Sequence, residues 1–314
     1  MNFIEAQTMD DIQRKVVQLL LEKGRRVKPR GQWIREITGF SFRLLNPRNR
    51  LIYSHARKIN LMFAIGEMCW YLRGANELEI IKYYNRRYPQ FSDDNVSLHG
   101  AYGVRLFTDK LTNFVQWNRV YEMLKEDPDT RQAVMHIHMP HDMITESRDI
   151  PCTCYIQFFI RDEKLECIVN MRSNDIIWGT SYDVFSFTMM QEIMAKQLGI
   201  EVGPYTHFAG SMHVYEHHLE MAKQIAEEPP YEMFEMPVMP LKPWDGIKEL
   251  LRTESELRTT GMTENIPSDL YWRELTTCLE AHVSWRSDKT EDLELLASKL
   301  PKYYSSLLPV GMKN

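Results

Sequence analysis

Two apolar segments separated by a short polar turn constrain the fold of this chain most strongly. Residues 153–160 and 165–171 are rich in β-branched and aromatic side chains, and the sequence "RDEK" lies between them. This pattern predicts two antiparallel strands joined by a tight turn. The segment "THFAGSMHVYEHHLEMAKQI" (206–225) predicts a further strand that leads into a helix. The sequence therefore predicts a sheet accompanied by helices.

Three other segments have the apolar spacing of helices, and a glycine ends each of them. They are Asp10–Gly24, Lys58–Gly74 and Ser186–Gly199. The second is apolar on most sides but carries one acid, Glu67. Burying an unpaired carboxylate is costly, so an acid at this position calls for a specific reason.

The remaining segments have weaker patterns. Arg25–Arg35 is basic and irregular and is predicted to be a loop, and Glu227–Gly246 is predicted to be an extended loop because of its prolines. Near the C-terminus, "WDGIKELL" and "TEDLELLASKL" are predicted to be packed helices. The sequence contains neither GxGxxG nor GxxxxGK[ST], so nucleotide binding through a glycine-rich loop is not supported.

Composition narrows the possible functions. The chain has 314 residues, 44% of them hydrophobic and 26% charged, which is typical of a soluble globular protein. A net charge of -5 gives no long-range attraction for nucleic acid or acidic membranes, so a phosphate ligand would need a local cluster of arginines. The N-terminus is acidic where a signal peptide is basic, and no apolar run has the length of a membrane span. We therefore expect a cytoplasmic protein that binds neither nucleic acid nor membranes.

Cysteine is the residue type with the clearest chemical potential. The five cysteines are an odd number without a repeated CxxC spacing, which argues against a disulfide framework and against a zinc site. We expect no metal. Cys152 follows Pro151 at the start of a predicted strand, where a buried core thiol is the ordinary interpretation. A nearby arginine would instead lower the pKa of this thiol and make it a nucleophile.

Two pairs of polar residues have equally open interpretations. Arg172 and Ser173 could form a surface salt-bridge region, or the guanidinium fork and the hydroxyl could bind a phosphate monoester. His213 and Tyr215 alternate on one face of a predicted strand, which suits a packed sheet or two groups that bind a sugar hydroxyl. Taken singly, each residue is explained better by packing or by surface exposure.

Taken together and in this order, the residues resemble the thymidylate synthase superfamily, including its deoxycytidylate hydroxymethylase branch. The matching motifs are "GEMCWYLRG" (66–74), "HGAYG" (99–103), "DPDTR" (127–131), "PCTCYIQF" (151–158), "NMRSND" (170–175), "GTSYD" (179–183) and "GSMHVYEHH" (210–218). The similarity runs from about Arg25 to His218 and fades beyond Ile225, and the tail "LPVGMKN" (308–314) differs from the ending usual in the family.

The resemblance implies an α+β fold in which helices flank a large mixed β-sheet. One face of the sheet is expected to lie at a homodimer interface. We predict a single catalytic domain over residues 1–314, with 225–314 as a divergent C-terminal part.

The resemblance also implies the catalytic groups. Cys152 matches the nucleophile, whose thiolate adds to carbon 6 of the pyrimidine and activates carbon 5. Glu67 matches the glutamate that orders water and moves protons around the base. Tyr102 matches a residue near the nucleophile, and Asp175 and Tyr88 match positions on the folate side. The implied co-substrate, 5,10-methylenetetrahydrofolate, carries the one-carbon unit.

A third group of residues is implied to bind the nucleotide. Arg131 matches an arginine that reaches the phosphate site of the partner subunit in a homodimer. In this family a second arginine usually follows it, but here Gln132 stands in that place. From the basic segment Arg25–Arg30 we choose Arg30 as a further phosphate ligand. The full set is Arg30, Arg131, Gln157, Arg172, Ser173, His213 and Tyr215.

Asp183 is implied to select the base. Thymidylate synthases have an asparagine at the matching position, whose amide complements O4 and N3–H of uracil. Cytosine presents an amino donor and an N3 acceptor, so a carboxyl group is the better complement, and an ionised carboxylate would face O4 of uracil acceptor to acceptor. The alternative is that Asp183 caps a helix that begins near Ser186.

The same resemblance bears on the product. Synthases have tryptophans near positions 88 to 91, where this chain has Tyr88 and Phe91, and a histidine where it has Thr153, as phage hydroxymethylases do. These departures favour the addition of water over hydride transfer. We therefore expect a 5-hydroxymethyltransferase of dCMP or CMP. The alternatives are 5-methylation of the same nucleotide, a thymidylate synthase that methylates dUMP, and a catalytically silent relative that binds nucleotides or RNA.

Overall fold

The computed structural model describes residues 2–108 and 115–311. Within these ranges, the strands are β1 (Phe3–Ala6), β2 (Arg25–Val27), β3 (Ile34–Leu44), β4 (Val134–His136), β5 (Thr153–Arg161), β6 (Lys164–Met171), β7 (Asn174–Asp175) and β8 (Glu201–Tyr215). The helices are α1 (Met9–Lys23), α2 (Leu61–Leu72), α3 (Leu78–Tyr84), α4 (Tyr102–Phe107), α5 (Gln116–Glu126), α6 (Gly179–Leu198), α7 (Leu219–Glu227), α8 (Pro243–Thr260), α9 (Leu270–Arg286), α10 (Thr290–Ser298) and α11 (Lys302–Ser305).

The chain divides into two compact units. Unit 1 comprises Met1–Ile59, Trp117–Met143 and Pro151–Met236. Unit 2 comprises Asn60–Gln116, Ile144–Ile150 and Pro237–Asn314. The single catalytic domain expected over residues 1–314 stays a prediction, and the last three residues of the tail "LPVGMKN" lie outside the described residues.

Unit 1 contains one sheet that holds all the strands given above. Its order is β1-β3-β8-β6-β5-β4, with β2 paired to β3 and β7 paired to β8. The sheet is mixed, because β6 and β7 run parallel to β8 whereas β3 runs antiparallel to it. Helix α1 packs against β3, and α6 packs against β6 and β8. The predicted α+β fold is therefore confirmed, while the dimer interface on one sheet face stays a prediction.

The predicted hairpin and the predicted strand-to-helix segment are both present. Strands β5 and β6 pair up to Arg161 and Lys164, and the two turn residues between them, Asp162 and Glu163, have φ of 49° and 59°. Positive φ at both positions is the geometry of the tight turns that match strand twist. Strand β8 likewise leads into α7 after a short 3₁₀ turn, Glu216–His218. The two longest sequence patterns thus predicted the centre of the sheet.

Other local predictions were wrong in part. Arg25–Arg35 is not a loop, because β2 and β3 form a hairpin around the turn Pro29–Gly31, and β3 is held along its length by β8. Helix α6 begins at Gly179, well before Ser186, because the Asp175 carboxylate accepts from the backbone N–H groups of Ile177 and Trp178 and so organises the turn before it. Gly246, predicted at the end of an extended loop, lies within α8. The two predicted C-terminal helices are confirmed as α8 and α10.

Unit 2 is built around α2, every residue of which is buried. The side chain of Asn60 caps its start by accepting from the backbone N–H of Phe63 at 2.9 Å. Gly66 allows the ring of Tyr84 to approach, since a Cβ there would lie 2.6 Å from that ring. Although α2 is strongly apolar, neither it nor any other helix within residues 2–108 and 115–311 combines the length and apolarity needed to cross a membrane.

A buried ion pair anchors α6 in unit 1 and provides a test of the packing. Arg50 Nη2 lies 2.5 Å from Glu192 Oε2, and both side chains are 0% exposed. We expect Glu192→Ala to lower the free energy of unfolding by about 3–5 kcal/mol, because it leaves the guanidinium buried without its counter-charge. Urea denaturation measures this change.

The exposed pair Lys223 and Glu220 on α7 supplies the matched control. Glu220→Ala should change stability by less than about 1 kcal/mol, since exposed ion pairs contribute little. Replacing both members of the buried pair, by Arg50→Met with Glu192→Leu, should recover most of the loss. Equal effects of Glu192→Ala and Glu220→Ala would contradict this account of the core.

Candidate active site

At the start of β5, the backbone of Cys152 contacts Arg172. The backbone N–H of Arg172 donates to the carbonyl oxygen of Cys152 at 2.9 Å, and its Nε donates to the carbonyl oxygen of Pro151 at 2.9 Å. Cys152 is partly buried and Arg172 is exposed. The pairing of β5 with β6 shifts register between Thr153 and Tyr155. Such irregularities commonly occur next to active sites, where they re-aim a side chain.

Gly210 on β8 keeps the backbone around Arg172 close to the sheet. A Cβ at Gly210 would lie 2.8 Å from the carbonyl oxygen of Arg172, and the same oxygen accepts from Ser211 N at 3.2 Å. Any side chain at position 210 would push this segment away. The small residue is therefore required for the position of Arg172.

Ser173, His213 and Tyr215 lie beside this pair, on neighbouring positions of β8 and the turn before β7. Ser173 Oγ is 3.5 Å from His213 Nδ1, and the rings of His213 and Tyr215 are 5.2 Å apart at 84°. Burial raises the pKa of the Tyr215 phenol, the charge of Asp175 raises it further, and Arg30 lowers it. Arg30, at the tip of the β2–β3 hairpin, therefore lies within electrostatic reach of Tyr215, as does Cys152.

Asp175 serves the backbone in the first instance. Its two carboxylate oxygens accept from Ile177 N at 3.0 Å and Trp178 N at 3.1 Å. This arrangement organises the turn that leads into α6. A carboxylate can accept further hydrogen bonds, so the predicted role of Asp175 on the folate side stays a prediction.

Asp183 projects from the interior of α6, five residues after the cap residue Trp178, so it is not a helix cap. Asn174 Nδ2 donates to Asp183 Oδ2 at 2.7 Å, and the side chain is otherwise only partly buried. Burial raises the pKa of this carboxyl to about 7, with the Asn174 hydrogen bond opposing and the charge of Asp175 reinforcing the change. Asp183 can therefore be either neutral or ionised near neutral pH.

Arg131 and Gln157 form a separate pair. Gln157 Nε2 donates to the carbonyl oxygen of Arg131 at 2.9 Å. Gln157 itself pairs with Val134 where β5 meets β4. The side chain of Arg131 is exposed. Among the described residues, no hydrogen bond or ion pair joins either of them to Cys152. Their predicted contacts with the nucleotide stay predictions.

Unit 2 holds the three other predicted site residues. Glu67 on α2 is 5% exposed, and it accepts a hydrogen bond from the Tyr88 hydroxyl. Burial, together with the charge of Glu67, raises the pKa of Tyr88 well above that of an ordinary phenol, so Tyr88 acts as a neutral donor. The ring of Phe91 lies 6.0 Å from that of Tyr88. Tyr102 begins α4 and stacks on Tyr71, with ring centroids 5.3 Å apart.

Sequence reasoning missed several polar groups. In unit 1, Arg57 is 2% exposed; its Nε donates to the Ile177 carbonyl, and its guanidinium lies 4.3 Å from the ring centroid of Trp178. Both of its terminal nitrogens are buried and lack hydrogen-bond partners among the described residues. The hydroxyl of Thr153, next to Cys152, is likewise buried and unpaired within the described chain. Buried unpaired donors are rare and indicate where a ligand or a water binds.

The comparisons with known proteins agree with this arrangement. A family model described as thymidylate synthase matches residues 12–258. Three similar phage proteins are each named deoxyuridylate hydroxymethyltransferase: that of Bacillus phage SP01 is 36% identical over 211 residues, covering 64% of this chain and 55% of that protein. That of Pseudomonas phage M6 is 31% identical over 190 residues (58% and 52%), and that of Delftia phage PhiW-14 is 30% identical over 187 residues (55% and 51%). The chain spans about half the length of these relatives.

Proposed function

Because this chain belongs to the thymidylate synthase family, we propose that it is a pyrimidine nucleotide 5-hydroxymethyltransferase. The observation that carries the proposal is the pair of hydrogen bonds that Arg172 donates to the carbonyl oxygens of Pro151 and Cys152. This contact holds the backbone of the candidate nucleophile against an arginine, the residue type suited to phosphate, and a nucleotide substrate calls for both groups. The names of the phage relatives support hydroxymethylation as the reaction.

The predicted nucleophile and the predicted nucleotide-binding residues of unit 1 each have a role in this proposal. The Cys152 thiolate adds to carbon 6 of the pyrimidine and makes carbon 5 nucleophilic. Arg172, Ser173 and Arg30 bind the phosphate, and His213 with Tyr215 holds the sugar hydroxyl. Arg131 completes the phosphate site of a second copy in a homodimer. Gln157 binds the nucleotide from β5.

Arg57 and Trp178 fit the co-substrate. The co-substrate 5,10-methylenetetrahydrofolate supplies the one-carbon unit when it is bound. Its glutamate carboxylates are the kind of group that the unpaired terminal nitrogens of Arg57 would bind. Trp178 offers an aromatic face, and Asp175 organises the turn that presents it.

Two features favour water as the final reactant. Tyr88 presents a hydroxyl to Glu67, where synthases resembling this chain have an apolar indole to shield the reacting group. Thr153, next to Cys152 in the sequence, has a buried hydroxyl without a hydrogen-bond partner among the described residues. Glu67 and Tyr88 can hold a water, and the Glu67 carboxylate can take a proton from it. Tyr102 lies on the same unit.

Two bases are supported by separate observations. Asp183 favours cytosine, because an ionised carboxylate accepts from its amino group. The relatives named deoxyuridylate hydroxymethyltransferase favour uracil. We therefore propose dCMP and dUMP as the two candidate substrates. The ribonucleotide CMP is a weaker candidate, since the relatives' names specify a deoxynucleotide.

One assay separates these possibilities. The full chain is incubated with methylenetetrahydrofolate and each of dCMP, dUMP, CMP and UMP, and the nucleotide products are weighed by mass spectrometry. We expect a product heavier than the substrate by one CH₂O unit, because water and not hydride completes the reaction. A product heavier by one CH₂ unit would make the protein a methylating synthase. If none of the four nucleotides gave a product, the result would favour the alternative of a nucleotide-binding protein without catalytic activity.

A further inference from the structure

Three side chains in unit 1 form a directed hydrogen-bond chain that ends on Asp183. Thr180 Oγ1 donates to Asn174 Oδ1 at 2.5 Å, and Asn174 Nδ2 donates to Asp183 Oδ2 at 2.7 Å. Thr180 and Asn174 are 0% and 3% exposed. The same hydroxyl lies 3.0 Å from the carbonyl oxygen of Asp175, a longer distance than that to the amide. With the hydroxyl donating to the amide oxygen, the amide presents its N–H to the carboxyl group. The amide therefore cannot serve both as donor and as acceptor toward Asp183.

The absence of a side chain at Gly179 leaves space for this chain of hydrogen bonds. A Cβ at Gly179 would lie 3.1 Å from Asn174 Nδ2 and 3.4 Å from Asp183 Oδ2. The other carboxyl oxygen, Asp183 Oδ1, has no hydrogen-bond partner among the described residues, and the side chain is only partly buried. The two oxygens of one carboxyl group are thus made different: Oδ2 is held and Oδ1 is open.

We propose that Asn174 is a positioning residue that keeps Oδ2 of Asp183 as an acceptor, so that a proton on this carboxyl lies on Oδ1 and the preference between uracil and cytosine changes with pH. This inference rests on the proposed function, because it concerns the base bound at the same site. It assigns Asn174 and Thr180 to the selection of the base. Neither residue needs to touch the reacting atoms.

The two protonation states complement the two bases differently. An ionised Asp183 offers only acceptors, so it accepts from the amino group of cytosine but faces O4 of uracil acceptor to acceptor. A neutral Asp183 offers O–H at Oδ1, which can donate to O4 of uracil or to N3 of cytosine. Uracil therefore requires the neutral state, whereas cytosine tolerates both states.

The surroundings of Asp183 put this change near neutral pH. Its pKa is raised to about 7, chiefly by burial; the Asn174 hydrogen bond lowers this pKa, and the charge of Asp175 on β7 adds to the rise. Three titratable groups on the packed strands are neutral near this pH: burial raises the pKa of Tyr205 on β8 and of Cys167 on β6, and it lowers the pKa of His207 on β8 to about 3. His213 on β8 lies beside Ser173. Asp183 is thus neutral below about pH 7 and ionised above it.

Competition between the two nucleotides tests the inference. The full chain is given equal dUMP and dCMP with methylenetetrahydrofolate from pH 5.5 to 9, within roughly two units of the carboxyl pKa, and the product ratio is measured. Ionisation of the phosphate and of the thiol cancels in this ratio. We expect the ratio of uracil to cytosine product to be constant in acid and to fall about tenfold per pH unit above the carboxyl pKa. A ratio independent of pH would overturn the inference.

Three variants distinguish positioning from mere support of the fold. Asn174→Leu removes the hydrogen bond that lowers the pKa of Asp183. The break, meaning the pH at which the ratio of uracil to cytosine product begins to fall, should therefore move to higher pH. Thr180→Val releases the amide and should move the break in the same direction, whereas Thr180→Ser retains the hydroxyl and should keep the wild-type break. If Asn174 only supported the fold, both rates would fall and the break would stay in place, which would contradict the proposal.

Equilibrium binding separates this inference from the proposed function. The Kd of dUMP and of dCMP is measured by calorimetry over the same pH range, without folate. If no hydroxymethyl product forms but the ratio of the two Kd values still changes with pH, the proposed reaction is wrong and the role of Asn174 stands. If product forms but neither the Kd ratio nor the product ratio changes with pH, the proposed reaction is correct and the proposed role of Asn174 is wrong.

Discussion

Replacing Cys152 by alanine is expected to abolish turnover while the nucleotide still binds. The thiolate is the only group in the proposal that bonds to the pyrimidine, and without it carbon 5 is too unreactive to accept a one-carbon unit. We expect a loss of roughly 10⁴-fold or more in kcat, in line with the removal of a nucleophile from other enzymes. Because Arg172 and His213 remain in place, the Kd of the nucleotide should change little.

Cys154 supplies a matched control for this experiment. It lies two residues further along β5, is also partly buried, and is close to Arg172, but burial raises the pKa of its thiol. A protonated thiol is a poor nucleophile. Cys154→Ala should therefore retain most of the activity. Comparable losses in the two variants, or a Cys152→Ala rate near that of the wild type, would remove Cys152 from the mechanism.

Replacing Asp183 by asparagine is expected to shift the base preference toward uracil by on the order of 10²-fold at pH 8, where the wild-type carboxyl is largely ionised. The asparagine amide donates to O4 and accepts from N3–H, whereas it sets a donor against the amino group of cytosine. The ratio of kcat/KM for dUMP and dCMP measures the shift. The variant should also lose the pH dependence of this ratio, because an amide does not titrate.

Asp175 provides the comparison for Asp183. Its carboxylate accepts two backbone N–H groups at the start of α6, so Asp175→Asn should weaken that turn. Because the charge of Asp175 raises the pKa of Asp183, this variant should also move the preference slightly toward cytosine, opposite in direction to Asp183→Asn. The two variants remove the same charge from neighbouring elements and therefore control for the effect of charge alone. An unchanged preference in Asp183→Asn would show that the base is selected by another residue.

The parts of the site that lie on strongly patterned segments could be predicted from the sequence. The β5–β6 hairpin brings Arg172 to the carbonyl of Cys152, and the alternation on β8 places His213 beside Tyr215. Glu67 was identified because one acid stood in an apolar helix, and it is indeed buried. In each case a local pattern determined the position of the side chain.

The remaining features depend on contacts between distant segments. Residues 25–35 are basic and irregular, yet they form a hairpin because β3 pairs with β8, about 180 residues later in the chain. The Nε of Arg57 donates to the Ile177 carbonyl, 120 residues later in the chain. The bond from Asn174 to Asp183 spans only nine residues, but it depends on the turn into α6, whose start was predicted too late. No periodic pattern encodes such contacts.

The origin of the oxygen in the product tests the central claim most directly. The full chain is incubated with methylenetetrahydrofolate and its preferred nucleotide in water enriched in the heavy oxygen isotope, and the product is analysed by mass spectrometry. We predict a nucleotide that carries one added CH₂O unit with the heavy oxygen in its new hydroxyl group. A methylated nucleotide without the isotope would contradict the claim that water completes the reaction.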